Sequence, residues 1–324
     1  MSTLTKNIAN KIDNFETKLK THYYLDYNPS YQNAVFLAGI GRSGTTWLSN
    51  VINYNNDYRY IFEPFYEKKV SICQNFDSKQ YIRESSNDKK FLEPVKLILS
   101  GRVKSKWSDR FNERIFTNKR LIKSIRANLF LKWLHLNFPN LPIVLILRHP
   151  CAVAASKIKL NWKRSLDKYL QQKYLMEDFL DPFRQEMERA EKLFRSSNDS
   201  FENHIFSWCI ENYVPLKQFR EKEIYLVFYE NICASPESEI KNMFAFFNKK
   251  YDKKVLQSVK LASRLSGKHS SIKTGGSLTD SWKKHITEEQ MYRAIEILQL
   301  FGLDKIYSQD PMPHTANLEQ VMKT

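Results

Sequence analysis

The residues with the clearest chemical potential lie in Gly39-Ile-Gly-Arg-Ser-Gly-Thr-Thr-Trp47. An apolar run, Ala34 to Ala38, precedes them, and Leu48, Val51 and Ile52 follow at helical spacing. A glycine-rich loop between a buried strand and a helix aims backbone N–H groups at an anion, and the helix N-terminus adds partial positive charge. Three readings of this loop compete. Gly39 and Gly44 have the spacing of a mononucleotide P-loop, with Thr46 at its hydroxyl position, but Thr45 stands where the phosphate-reaching lysine belongs. Gly39, Gly41 and Gly44 also satisfy the dinucleotide pattern G-x-G-x-x-G, with Glu63 about twenty residues on as a ribose ligand. Against that, Arg42 and two threonines crowd a turn that usually carries small neutral residues. The third reading is a phosphate cradle without metal or ATP. In it the N–H groups of Arg42 to Thr46, the hydroxyls of Ser43, Thr45 and Thr46, and the Arg42 guanidinium converge on one anion. Such a set suits a phosphosulfate.

These residues need a scaffold, and the hydrophobic pattern supplies one. Strands are predicted at Ala34–Ala38, Tyr58–Phe62, Leu121–Ile125, Ile143–Leu147 and Ile224–Phe228, mostly short runs without a polar face. Helical patterns separate them. Pro150 fits the first position of a helix after Ile143–Leu147. Ser235-Pro236-Glu237 reads as N-cap, first position and acidic first turn of another. Thr287 and Gln290 form a capping box for a last helix ending near Gly302. Alternating strands and helices imply an α/β fold, a parallel sheet with helices on both faces and ligands at the carboxyl ends of the strands. Residues 1–30 read as a peripheral segment, 31–307 as one domain and 308–324 as a tail. Stretches 67–119 and 160–204 are charged insertions.

The net charge of +16 suggests an anionic partner. No block of five or six like charges occurs, so a nucleic-acid tail is not expected. Cys73, Cys151, Cys209 and Cys233 are too widely spaced for a zinc site or a disulfide framework. Met1 to Lys20 is polar throughout, unlike a signal peptide, and no apolar run is long enough to span a bilayer. The expected setting is cytoplasmic.

Arg42-Ser-Gly-Thr-Thr-Trp47 resembles the R/K-x-G-T-T-W 5'-phosphosulfate loop of the PAPS-dependent sulfotransferases, a P-loop-like fold. A second motif strengthens the resemblance: LILRHPCAVAAS supplies Arg148 at a strand end and Ser156 eight residues later, like the family's 3'-phosphate element. LVFYENICASPESEIKNMFAFFN is similar to the strand–Tyr-Glu–helix segment, and SIKTGGSLTDSWKKHIT to the C-terminal loop that covers the cofactor. The resemblance runs from about residue 33 to 307, and by that likeness the motif-free stretches 67–119 and 160–204 are expected to shape the acceptor site.

The family likeness implies roles. Ser43, Gly44, Thr45, Thr46 and Arg42 would hold the 5'-phosphosulfate of 3'-phosphoadenosine 5'-phosphosulfate (PAPS), with Arg42 also stabilising charge on the leaving phosphate. Trp47 would lie against adenine, its alternative being a core tryptophan. Arg148 and Ser156 would hold the 3'-phosphate, for which a guanidinium fork is apt. Tyr229 joins the cofactor site, and Lys273, Thr274, Gly275 and Gly276 close over it. Phe62-Glu-Pro-Phe65 resembles the Glu-Pro segment of the carbohydrate-directed branch, where that Glu takes the acceptor's proton. Glu63 is therefore the expected base, the alternative being a strand-ending Glu paired with an Arg. His269 and His285 are fallback bases, and His149 caps or orients its turn. Lys123 either reaches the sulfuryl oxygens or is solvated. The expected reaction gives a sulfate ester or sulfamate and 3',5'-ADP, without metal, on a small-molecule or glycan acceptor, as in natural-product tailoring. The competing classes are a P-loop kinase and a non-enzymatic basic nucleotide- or nucleic-acid-binding protein.

Overall fold

The computed structural model describes residues 26–261 and 276–322. Five strands form one wholly parallel sheet: β1 Ala34–Gly39, β2 Arg59–Phe62, β3 Arg120–Ser124, β4 Ile143–Leu147 and β5 Tyr225–Phe228. Their order is β2-β3-β1-β4-β5. β1 is central, with Ala38 beside Ser124 of β3 and Leu145 of β4. The chain leaves β1 toward β2 and leaves β4 toward β5, so the loops after these neighbouring strands part in opposite directions. That divergence opens a crevice at the carboxyl edge, where ligands bind in such sheets.

Both faces of the sheet are covered, which explains why its strands lack a polar side. On β1, Val35 and Leu37 pack with Leu48, Val51 and Ile52 of the helix Thr45–Ile52 and with Ile240, Met243 and Phe244 of the helix Pro236–Phe246. Phe36 and Ala38 point the other way, into a larger core with Phe206, Trp208 and Ile210 of the helix Phe201–Gln218. Alternate residues of one strand thus serve two cores.

The expected helix boundaries largely hold. Pro150 opens its helix, and the Thr287–Gln290 capping box forms with both hydrogen bonds. Gly302, at φ 65°, follows the last helix in the left-handed region. Ser235 stands at an N-cap position but accepts no capping hydrogen bond. Within 67–119 the chain is mostly irregular around the helix Lys89–Leu99. The stretch 160–204 contains short helical turns, a break at Asp181-Pro182 and the helix Arg184–Ser197. Val321 and Met322 pack into the larger core. All four cysteines are free thiols. Among the described residues no helix is long and apolar enough to cross a membrane, and no group of three His, Cys, Asp or Glu side chains is placed to hold a metal.

Candidate active site

The loop after β1 owes its shape to two glycines. A Cβ on Gly39 would lie 2.7 Å from Ile146 Cγ2 of β4, so no side chain fits between these strand ends. Gly44 has φ 98°, and a Cβ there would come within 2.9 Å of the Tyr229 ring. Between them Arg42 takes φ 78°, a left-handed conformation costly for a residue with a Cβ. Gly44 caps the helix Thr45–Ile52 without a side chain, so the first amides of that helix face the loop with no side-chain partner. Thr45 is buried and Thr46 half-buried at this end.

Ser43 departs from the expected cradle. It is fully buried, and both its N–H and its hydroxyl donate to the Ile40 carbonyl, at 3.1 and 2.7 Å. Its donors tie the turn together rather than face an anion. The other elements of the two motifs do meet. Arg42 Nε donates to Ser156 Oγ at 2.9 Å, across 114 residues of sequence. Arg148 Nη1 donates to the Arg42 carbonyl at 3.3 Å, and its guanidinium lies 4.3 Å from the centre of the Tyr229 ring. Trp47 packs edge-on against Tyr229 and donates from its indole N–H to the Val259 carbonyl.

The two guanidiniums have no carboxylate bonded to either among the described residues. Burial, and then the charge of Arg148, lower the Arg42 pKa. Arg148 Nε is buried with no hydrogen-bond partner. A pair of neighbouring cations above an uncapped helix N-terminus, with an N–H to spare, is a donor set suited to an anion.

His149 is structural. Its Nδ1 accepts from the Cys151 N–H, Nε2 meets the Ser308 carbonyl at 3.0 Å, and its ring stacks on Trp282. Burial, with Lys283 and Arg148 nearby, pushes its pKa down to about 4, so it stays neutral and joins the C-terminal segment to the β4 turn.

At the other side of the edge, Glu63 ends β2 at φ 45° and is buried. Its N–H donates to the Lys123 carbonyl at 2.8 Å. Oε1 accepts from Lys123 Nζ at 2.6 Å, Oε2 from Arg126 Nη1 at 2.8 Å, and both from the Ile125 N–H. Burial would raise its pKa, but Lys123 and Arg126 outweigh that and hold the carboxyl below its ordinary range. The solvated alternative for Lys123 is thereby excluded: it is buried and paired, its pKa lowered by burial against the pull of Glu63.

The carbonyl of Ile125 accepts from Lys79 Nζ, which also bonds Glu211, and Tyr169 donates to the same carboxylate at 2.7 Å. Burial and then Arg164 push the nearby Lys157 down to about 7. Ile125 and Trp162 flank Gly41, so the loop after β1, the end of β3 and the 160–204 stretch converge.

Sequence reading missed Arg126, Trp107, Lys79 and Glu211. Arg126 had a usable signal, an arginine just past a strand end like Arg42 and Arg148. Trp107 and Lys79 come from the motif-free stretch 67–119, and Glu211 from the helix Phe201–Gln218. Lys273, Thr274, Gly275 and His269 lie outside the described residues. His285 ends a short helical turn at Ser281–His285.

The model of the sulfotransferase domain family matches residues 32–306. A carbohydrate sulfotransferase 1 from Danio rerio is 22% identical over 81 residues, 25% of this chain and 19% of that protein, so the match spans about a fifth of the relative's length. Among solved structures, the sulfotransferase domain of the curacin biosynthetic pathway covers 86% of this chain and 98% of its own, at 15% identity and a TM-score of 0.47. A mouse sulfotransferase complexed with PAP covers 87% of each chain, at 15% identity and a TM-score of 0.39.

Proposed function

The chain belongs to the sulfotransferase domain family, and on that premise we propose that its donor is PAPS and its acceptor a hydroxyl or amine of a glycan or small molecule. The observation that carries the donor assignment is the pair Arg42 and Arg148, two adjacent guanidiniums unmatched by any described carboxylate, above the uncapped N-terminus of Thr45–Ile52. Arg42, Thr45, Thr46 and the first helical amides would hold the 5'-phosphosulfate, and Arg148 and Ser156 the 3'-phosphate. When bound, PAPS supplies the sulfuryl group and leaves as 3',5'-ADP. Arg42 then meets the charge that develops on the phosphate oxygen as the S–O bond breaks. Trp47 and Tyr229 form an aromatic wall beside the same loop.

The acceptor oxygen or nitrogen forms its bond to sulfur and must lose a proton. Glu63 is the carboxylate at hand, across the edge from the loop, and takes that proton in this reading. Its four hydrogen bonds support a second role, because a carboxylate held below its ordinary range is a weak base. In that role Glu63 positions Lys123 and Arg126 for the sulfuryl oxygens. Glu63→Gln separates the two. A base predicts a loss of kcat of about 100-fold or more and a changed acid limb of the pH profile. A positioning role predicts a smaller loss with the limb unmoved.

The donor assignment is tested by calorimetric titration with 3',5'-ADP, using ATP and AMP as comparators, without magnesium. Selective binding of 3',5'-ADP, weakened about 10- to 100-fold in Arg148→Ala, is the expected result. Equal or tighter binding of ATP, enhanced by magnesium, would return the loop to nucleotide-triphosphate chemistry.

A further inference from the structure

A guanidinium at a strand end serves an anion best when its backbone is held still. The peptide that follows Arg148 is held on both sides. Its carbonyl accepts from the Trp208 indole N–H at 2.9 Å. Its N–H, that of His149, donates to Glu230 Oε1 at 2.8 Å. Trp208 lies on the helix Phe201–Gln218 and Glu230 on the short helix Tyr229–Ala234 that follows β5. Both side chains are buried. Two separate elements thus clamp one peptide at the point where β4 ends.

A third buried residue completes the clamp. The Tyr307 hydroxyl donates to Glu230 Oε2 at 3.0 Å. Its ring packs edge-on against Trp208, centroids 5.6 Å apart, and against His149 at 5.3 Å. One tyrosine of the C-terminal segment therefore touches both arms. Glu230 gives its oxygens to an N–H and an O–H, and no ion pair joins it to Arg148 among the described residues. The outer end of Arg148 is left largely unspent. Its guanidinium gives one bond, to the Arg42 carbonyl at 3.3 Å, and Nε is buried with no partner. A fixed base with a free fork is a preorganised anion donor.

We propose that Trp208, Glu230 and Tyr307 are positioning residues for the 3'-phosphate. They act through the Arg148–His149 peptide, setting where the guanidinium stands and so how strongly the site prefers a nucleotide that carries this phosphate. The proposal rests on the assignment of Arg148 to the 3'-phosphate. It gives the C-terminal segment a part in choosing the donor from within the core.

The experiment compares 3',5'-ADP with 5'-AMP, which lacks the 3'-phosphate, by calorimetric titration of the full chain, with AMP measured by competition. Trp208→Phe keeps a buried ring and removes the N–H that holds the Arg148 carbonyl. Trp133→Phe is its matched control, an equally buried tryptophan whose indole donates instead to the Ser86 carbonyl at 2.8 Å. Glu230→Leu removes both acceptor oxygens, and Glu230→Gln keeps one for the His149 N–H. Trp208→Phe and Glu230→Leu are expected to weaken 3',5'-ADP binding about three- to tenfold while AMP binding changes less than about twofold. Retained AMP binding also shows that the variant is folded, and Trp208→Phe carries the test if Glu230→Leu does not fold. Tyr307→Phe should show a smaller loss of the same kind, and Glu230→Gln should recover most of the preference. Equal losses for both nucleotides, or the same fall in preference in Trp133→Phe, would make the role merely structural and overturn the proposal. Wild-type protein with no preference for 3',5'-ADP refutes the donor reading and this proposal together. A wild-type preference that persists in Trp208→Phe refutes this proposal alone.

Discussion

At the β1–β4 side of the carboxyl edge, Arg42 and Arg148 lie together with no carboxylate bonded to either. At the β2–β3 side, Lys123 and Arg126 grip the two oxygens of one buried carboxylate, Glu63. Both sides use a non-glycine residue in the left-handed region, Arg42 at φ 78° and Glu63 at φ 45°, so both carry local strain at the site. They differ in what offsets it. The Glu63 clamp neutralises charge within the protein and contributes to holding the edge together. The arginine pair repels itself, and no carboxylate among the described residues is bonded to either member. One side is neutralised within the protein, and the other is the side to which the proposed function assigns the donor.

The largest expected effect comes from breaking the clamp. Glu63→Ala leaves Lys123 buried without its partner, and loss of one member of a buried pair costs about 3–5 kcal/mol. Arg42→Ala and Arg148→Ala remove members of a repulsive pair and should change stability by less than about 1 kcal/mol while weakening 3',5'-ADP binding about 10- to 100-fold. Urea unfolding of the three variants checks the contrast. Equal destabilisation by Glu63→Ala and Arg148→Ala would erase the distinction between the two sides.

A second test uses His149, the neighbour of the unpaired Arg148. Its folded pKa of about 4 lies below its ordinary value of 6.5. Between those values the unfolded chain binds more protons than the folded one, so stability rises with pH. The contribution is complete above about pH 6.5 and is lost as pH falls toward 4, about 3 kcal/mol in all. His149→Asn should flatten this part of the stability–pH curve between pH 7 and 4.5. An unchanged slope would show that the imidazole is not held neutral. His204, pushed down to about 3, adds to the slope in both proteins and cancels in the comparison.

The sequence was most legible where function and fold use contiguous residues. Ile143–Leu147 and Ala34–Gly39 are buried on both faces, so their apolar runs read directly as strands. The glycine loop after β1 and Arg148–Ser156 are local motifs, and the Arg42–Ser156 hydrogen bond shows them assembled. Local pattern failed where a side chain's partner was decided by tertiary packing. Ser43 looks like a free hydroxyl donor, but the turn takes both its donors. Lys123 looks solvated until β2 brings Glu63 beside it. Trp107 and Arg110 belong to an irregular insertion with no periodicity, and tertiary contacts attach them to the edge: the bond from Trp107 to Glu63, 44 residues away, and the packing of both side chains on Phe62.

The smallest expected effect concerns the strain that the two sides share. Arg42 at φ 78° has a Cβ where glycine would have none. Arg42→Ala and Arg42→Gly both remove the guanidinium and its bond to Ser156, so both should lose 3',5'-ADP binding to the same extent. They differ only in backbone freedom. Glycine adopts the left-handed region at no steric cost, whereas alanine retains a penalty of about 1 kcal/mol there. Glycine also loses more entropy on folding, which offsets part of the gain. Arg42→Gly should therefore be more stable than Arg42→Ala by up to about 1 kcal/mol, a difference within reach of paired urea titrations. If alanine proves the more stable, the loop does not hold residue 42 in the left-handed region, and the strain belongs to Glu63 alone.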